Sequence, residues 1–180
     1  MSPEKGPHLA IQIAQQSNWR LKMAGKVDVV DVDYFEREIK PHVDGKQIEY
    51  LGEANHVQKN ALLGGAVATL FPITWREPFG LVMVESMAAG TPVIAMKLGS
   101  APEVIAHGKT GFLGQNLAEC VNVIDKAAKL DRYAIREYVS NHFSVKQMVD
   151  GYETVYQQVL AERFAKNGRL RTPVISDLSR

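Results

Sequence analysis

Apolar residues along this chain follow two alternating rhythms. Short, dense apolar runs bounded by turn residues predict buried strands at "WRLKMAG" (19–25), "IEYLG" (48–52), "VATLFPI" (67–73), "PVIAM" (92–96) and "TGFLG" (110–114). Between them, apolar positions recur at helical spacing in "HLAIQIAQQ" (8–16), "DVDYFEREIKPHV" (31–43), "HVQKNALLGGA" (56–66) and "FGLVMVESMAAG" (79–90). Asp31 or Asp33 is the expected cap of the second helix. Gly90, followed by Thr91-Pro92, is the expected stop of the fourth. A turn at Gly99–Glu103 and a short helical turn precede the last strand, and "NLAECVNVIDKAAKL" and "DRYAIREYVSNHF" follow it as helices.

A long helix starts near Ser144, a good cap. Its Met148, Tyr152, Val155, Tyr156, Val159, Leu160 and Phe164 share one face. The segment after it, "NGRLRTPVISDLSR", reads as a frayed tail. The expected division is a nucleotide-binding domain over 1–143, a C-terminal helix over 144–166 and a flexible tail over 167–180.

Strands alternating with helices predict an α/β fold: a Rossmann-like, doubly wound parallel sheet with helices on both faces. Such sheets bind ligands at the carboxyl ends of their strands, near a switch point. The length of 180 residues suits one domain with a real core. An apolar fraction of 46% and a charged fraction of 23% are those of an ordinary globular chain. A net charge of +1 gives no electrostatic case for nucleic acid or an anionic membrane surface. No run approaches a membrane span and no signal-peptide core is visible, so the cytoplasm is the expected location. The single cysteine, Cys120, excludes an internal disulfide and reads as a packed helix residue. The five histidines show no ligand spacing.

The stretch that carries chemistry is "EPFGLVMVE" (77–85), with Glu77 in a loop after a strand and Glu85 inside the helix that follows. A helix starting at about Phe79 leaves the N–H groups of Phe79, Gly80 and Leu81 without intrahelical acceptors. With the helix dipole they make a place for a phosphate. Gly80 lets a ligand come close to the backbone. Glu85 then lies roughly 7–8 Å further along the axis, at ~1.5 Å per residue, where a ribose diol would fall. Glu77 faces the same cleft on the sugar side. Either glutamate alone is also compatible with a solvated surface residue or a favourable dipole partner, and spacing does not decide between these.

The whole pattern resembles the retaining glycosyltransferases of the GT-B fold, the group 1 family numbered 4. "EPFGLVMVE" is similar to their E-x7-E signature. "SPEKGPHLAI" (2–11) looks like their phosphate-contacting turn and first helix, and "MAGK" (23–26) and "IEYLGE" (48–53) like their second and third strands. "LFPITWREPFG" (70–80) and "ESMAAGTPVIAMKLGSAPEVIAHGKTGFL" (85–113) match nearly residue for residue. The resemblance covers about residues 2 to 160 and implies the following roles. Lys5 reaches the pyrophosphate of a nucleotide-sugar; Gly80 and Leu81, beside Phe79, offer N–H groups to phosphate. Glu85 holds the ribose, and Glu53 and Ala54 lie against the base. Glu77 binds sugar hydroxyls and stabilises positive charge at the anomeric carbon. No metal and no cofactor is expected, the nucleotide-sugar being the donor substrate.

Two departures stand out. The family has Gly-Gly-x-Pro-Glu where this chain has Gly99-Ser100-Ala101-Pro102-Glu103. The family also precedes "SPEKG" with a central first strand ending in Gly-Arg, and places an acceptor-binding domain before that. Neither lies in this sequence, so the implied sheet lacks its first, central strand. "WRLKMAG" and "VATLFPI" then either pair directly or leave a gap. Unpaired buried peptide groups cost about 1–3 kcal/mol each, against a domain stability of ~5–15 kcal/mol. The expectation is a fragment, or half of a split enzyme whose N-terminal acceptor-binding domain or separate partner chain completes it. The leading function is donor binding in sugar transfer to an unknown acceptor. The alternatives are a non-catalytic nucleotide-sugar-binding or interaction module and, less well matched to the signature, a sugar-nucleotide epimerase.

Overall fold

The computed structural model describes residues 1–166; the expected tail at 167–180 lies outside them. The described chain forms five short strands: β1 (Leu21–Met23), β2 (Ile48–Tyr50), β3 (Thr69–Phe71), β4 (Val93–Met96) and β5 (Gly111–Gly114). All pair in parallel, in two sheets. The first has the order β1-β2 and the second the order β3-β4-β5. Among the described residues β1 and β3 are not paired. Of the two outcomes open for the sheet, the gap is the one adopted.

Helix α1 (Pro7–Ser17) spans that gap. Its Ile13 packs with Ile94, Phe112, Cys120 and Ile124 over the larger sheet. Its Ile11 and Ala14 pack with Met23, Ile39 and Ile48 over the smaller one. Fully burying an isoleucine contributes ~1.5–3 kcal/mol, so α1 joins two cores whose strands are not paired with each other among the described residues.

The second expected helix is broken. Residues 29–42 run as a 3-10 turn (Val29–Asp31), one turn of α2 (Val32–Tyr34), a π-helical stretch (Phe35–Ile39) and a second 3-10 turn (Lys40–His42). Pro41 explains the change of winding: it has no N–H to offer the carbonyl four residues back and its ring crowds that turn. Asp31 stands at the expected N-cap position of α2, but neither it nor Asp33 caps the helix through its side chain. Asp31 makes no side-chain cap bond, and Asp33 lies inside α2. Asp28, at the true start of the segment, is drawn to Lys26 at 2.6 Å instead of capping it.

Helix α3 (His56–Gly65) opens on a complete capping box: Asn55 and Gln58 bond each other's backbone N–H at 2.9 Å. Helix α4 (Leu81–Ala88) lies beside it. One buried hydroxyl fixes α4 on the sheet, and a second ties α3 to the turn that follows α4. Ser86 Oγ donates to Thr69 Oγ1 at 2.7 Å, and Thr91 Oγ1 donates to the Leu63 carbonyl of α3 at 2.7 Å. After α5 (Ala101–Val104) and β5, the expected single helix divides into α6 (Leu117–Asn122) and α7 (Ile124–Ala127). Cys120 of α6 is fully buried, and burial pushes its thiol pKa up to about 11.

Helix α8 (Arg132–His142) follows. The chain divides into two compact units, one ending at Ser140 and one starting at Asn141. The second contains α9 (Val145–Lys166), whose Gln147 N–H donates to Ser144 Oγ at 3.4 Å. Tyr152 and Tyr156 stack along α9 at 6.1 Å between ring centroids, both exposed together with Met148 and Val155.

Candidate functional site

The site grows out of the carboxyl end of β3. Beyond Phe71 the chain runs through buried Ile73 to Thr74, whose N–H donates to the Glu4 carbonyl at 2.9 Å. That bond anchors the N-terminal 3-10 turn (Pro3–Lys5) beside the loop. Lys5 is thereby delivered to Glu77: Nζ lies 2.6 Å from Oε2, and 4.7 Å from the centre of the Trp75 ring. The lysine side chain is 48% exposed and the glutamate 14%. A cation that meets solvent thus covers a carboxylate that hardly does.

The turn after β4 holds the loop from behind. Ser100 N–H donates to the Glu77 carbonyl at 3.0 Å, and Ser100 Oγ donates to the Phe79 carbonyl at 2.8 Å. A Cβ on Gly99 would lie 2.6 Å from the Glu77 backbone, at a φ of +57°, so only glycine fits. The serine that departs from the Gly-Gly pattern is therefore a working part of the site: it ties down the segment that carries Glu77. The sequence marks its place in the turn but not the direction of its hydroxyl.

Helix α4 begins at Leu81, with Gly80 as its N-cap, and not at about Phe79. Gly80 lies in the left-handed region and so breaks the run of helical dihedrals, while Ser100 holds the Phe79 carbonyl in the loop before it. Gly80 turns the chain at φ +77°, where a Cβ would stand 2.7 Å from Met83 Cε and 3.1 Å from Phe71 Cζ. Met83 N–H donates back to the Gly80 carbonyl at 2.9 Å. The donors that open the helix are those of Leu81 and Val82, the start lying two residues later than expected. Leu81 is 69% exposed.

One turn on, Glu85 Oε1 accepts from Lys59 Nζ of α3 at 2.6 Å, with both side chains about one-third exposed at 35% and 34%. Lys59 was not foreseen. Its spacing on α3 suits a helix surface, and only the packing of α3 on α4 brings it to Glu85. Glu53 and Ala54 stand beyond the carboxyl end of β2, immediately before the Asn55 cap of α3. Glu53 is exposed and within electrostatic reach of Lys26. The structure thus joins Lys5 with Glu77 directly and places Phe79, Gly80, Leu81 and Glu85 along one loop-helix unit. Glu53 and Ala54 connect to that unit through α3.

Parallel strands, a glycine-capped helix after β3 and two lysine-paired glutamates define a GT-B type α/β domain. Residues 1–142 match the family described as glycosyl transferases group 1, and the chain belongs to that family. It is similar to the N-acetyl-alpha-D-glucosaminyl L-malate synthase of Bacillus anthracis, 33% identical over 138 residues, covering 72% of this chain and 34% of that protein. It is also similar to a glycogen synthase of Mycobacterium tuberculosis, 28% identical over 185 residues, covering 96% of this chain and 44% of that one. Among solved structures, Anabaena Alr3699/HepE in complex with UDP and glucose superposes with a TM-score of 0.73 at 27% identity, covering 87% of this chain and 46% of the other. The chain spans less than half the length of these relatives. Among the described residues no helix is long and apolar enough to cross a membrane.

Proposed function

We propose that this chain is the donor-binding half of a retaining glycosyltransferase of family 4, which moves a hexose from a nucleotide-sugar to an acceptor. The observation that carries this is the pair of glutamates on one loop-helix unit, each met by a lysine at 2.6 Å, around a glycine-capped helix start. In this reading the diphosphate lies between Lys5 and the first turn of α4, with Gly80 giving it access and Phe79 at its edge. The ribose meets Glu85 and the base lies toward Glu53 and Ala54. The sugar sits against Glu77, whose carboxylate offsets charge at the anomeric carbon as the bond to the diphosphate oxygen breaks. The acceptor oxygen forms its bond on the same face, and its proton leaves with the diphosphate. Lys5 and the helix start carry the phosphate charge, so no metal or cofactor is called for. The E-x7-E spacing, the family membership and a UDP-bound relative support the reading.

An N-terminal acceptor-binding domain or separate chain is the proposed partner, and the cytoplasm the proposed location. The proposed domain division is 1–143 for donor binding and 144–166 for a helix facing that partner. Titration calorimetry with UDP, GDP and ADP tests the donor half of the proposal. Binding of one of them that Glu85→Ala and Lys5→Ala each weaken about tenfold is the expected outcome. Equal binding by wild type and both variants removes the assignment. The retaining course is checked by NMR of the product's anomeric configuration with the partner present.

The gap between β1 and β3 favours a second reading: 1–180 alone is a nucleotide-sugar-binding module without turnover. Donor hydrolysis by the purified chain, abolished in Glu77→Gln, would exclude it.

A further inference from the structure

Resting on the nucleotide-sugar reading above, we infer that Lys59 is a positioning residue for the nucleotide ribose, acting through Glu85. Three observations carry this. Lys59 Nζ holds Glu85 Oε1 at 2.6 Å, which selects one rotamer of a side chain that is otherwise free on a helix surface. The backbone of Lys59 is itself fixed, since its N–H donates to the Asn55 carbonyl at 2.8 Å in the turn closed by the capping box. Helix α3 is fixed one turn beyond Lys59, where the buried Thr91 hydroxyl, in the turn that follows α4, donates to the Leu63 carbonyl. The lysine thus reaches the carboxylate from a backbone that does not give.

The consequence is a division of labour between the two carboxylate oxygens. Oε1 is spent on Lys59, and Oε2 is aimed to accept from the vicinal hydroxyls of a ribose. A glutamate without that anchor samples several rotamers and must be ordered when the ribose arrives. Rotamer-rich side chains cost about 0.5–1.5 kcal/mol to immobilise. Lys59 makes that ordering part of folding.

The test is calorimetry with whichever of UDP, GDP and ADP wild type binds most tightly, and with the 2′,3′-dideoxy form of the same nucleotide. Lys59→Met and Lys59→Gln raise Kd for the ribonucleotide about tenfold, while Lys59→Arg stays within about threefold. With the dideoxy nucleotide, wild type and Lys59→Met bind alike. Lys59→Met adds nothing to Glu85→Gln when the two are combined. An equal loss on both nucleotides, or full additivity with Glu85→Gln, overturns the inference and assigns Lys59 a general structural or electrostatic role. Unchanged ribonucleotide binding in Lys59→Met and Lys59→Gln overturns it as well, leaving the donor-site reading intact. Failure of wild type to bind any of the three nucleotides removes the donor-site reading and this inference together. Circular dichroism of each variant separates a binding loss from a folding loss.

Discussion

At the residue scale, the proposed donor site requires the Lys5–Glu77 pair to change when a diphosphate binds. The lysine cannot give its full charge to a phosphate while it holds the glutamate at 2.6 Å. A neutral amide in place of the carboxylate releases it. Glu77→Gln should therefore tighten UDP binding by up to about fivefold, the upper end set by a partly exposed ion pair of ~0.2–1 kcal/mol, even as sugar transfer falls. The gain disappears in a Lys5→Met background. Calorimetry of the four proteins checks this, and weaker UDP binding by Glu77→Gln would show that the pair is not what the nucleotide competes with. Cys120 supplies an independent prediction. Its pKa of about 11, raised first by burial and then by the Glu119 carboxylate, keeps it a thiol at neutral pH. The sign follows: the folded state holds that proton more tightly, so the stability from the neutral thiol is present below the ordinary thiol pKa and is lost as pH rises toward 11. Iodoacetamide at pH 8 should leave Cys120 unmodified in the folded chain and alkylate it readily in urea.

At the element scale, much of the helix and strand order is legible because apolar period, turn residues and strand length agree. All five strands fall inside the runs that predict them, and Gly90 ends α4 as its sequence implies. The departures have local physical causes that periodicity does not register. Pro41 rewinds residues 29–42, and Asp28 prefers Lys26 to a cap. The start of α4 shifts because Gly80 adopts left-handed backbone angles before it. The candidate residues that lie in the motif are legible in the sequence; the reach of Lys59 and the direction of the Ser100 hydroxyl are hidden, since their partners lie on other elements. Arg132 belongs to the same hidden class. Its guanidinium donates to the Ala66 carbonyl at 2.8 Å, the Gly64 carbonyl at 2.7 Å and Thr91 Oγ1 at 2.6 Å. It thereby closes the carboxyl end of α3 and ties the start of α8 to the turn before β4. Arg132→Met keeps the aliphatic stem and removes all three bonds, at an expected cost of about 1–3 kcal/mol. Urea unfolding followed by far-UV ellipticity measures it, and an unchanged midpoint would mean that solvent replaces the guanidinium without loss.

At the scale of the whole molecule, the question is what holds a sheet together across a gap. Parallel pairing uses alternate residues of each strand. In β1 the Leu21 N–H reaches Gln47 and the Met23 carbonyl receives Leu51, so the backbone groups of Lys22 point the other way. In β3 the Thr69 N–H reaches the Pro92 carbonyl, which leaves the N–H and carbonyl of Leu70 on the far edge. Both far edges belong to strands with one strand partner among the described residues. They are the natural seat for one more parallel strand, whether it comes from the proposed partner or from another segment. Helix α1 is then a main apolar bridge between two half-cores, with Trp19 beside it against the larger one, which concentrates the stability of the arrangement in a few side chains. Hydrogen exchange read residue by residue by NMR distinguishes an open gap from a closed one. With the chain alone, the Lys22 and Leu70 amides should exchange far faster than that of Ile94, whose register pairs it into the larger sheet. Ile13→Ala, which removes the contact of α1 with the larger core at a cost of ~2–5 kcal/mol, should bring the exchange of Met23 and Ile94 out of step with each other. Protection of Lys22 and Leu70 equal to that of Ile94 would show that both edges are already satisfied, and the sheet would then need no added strand.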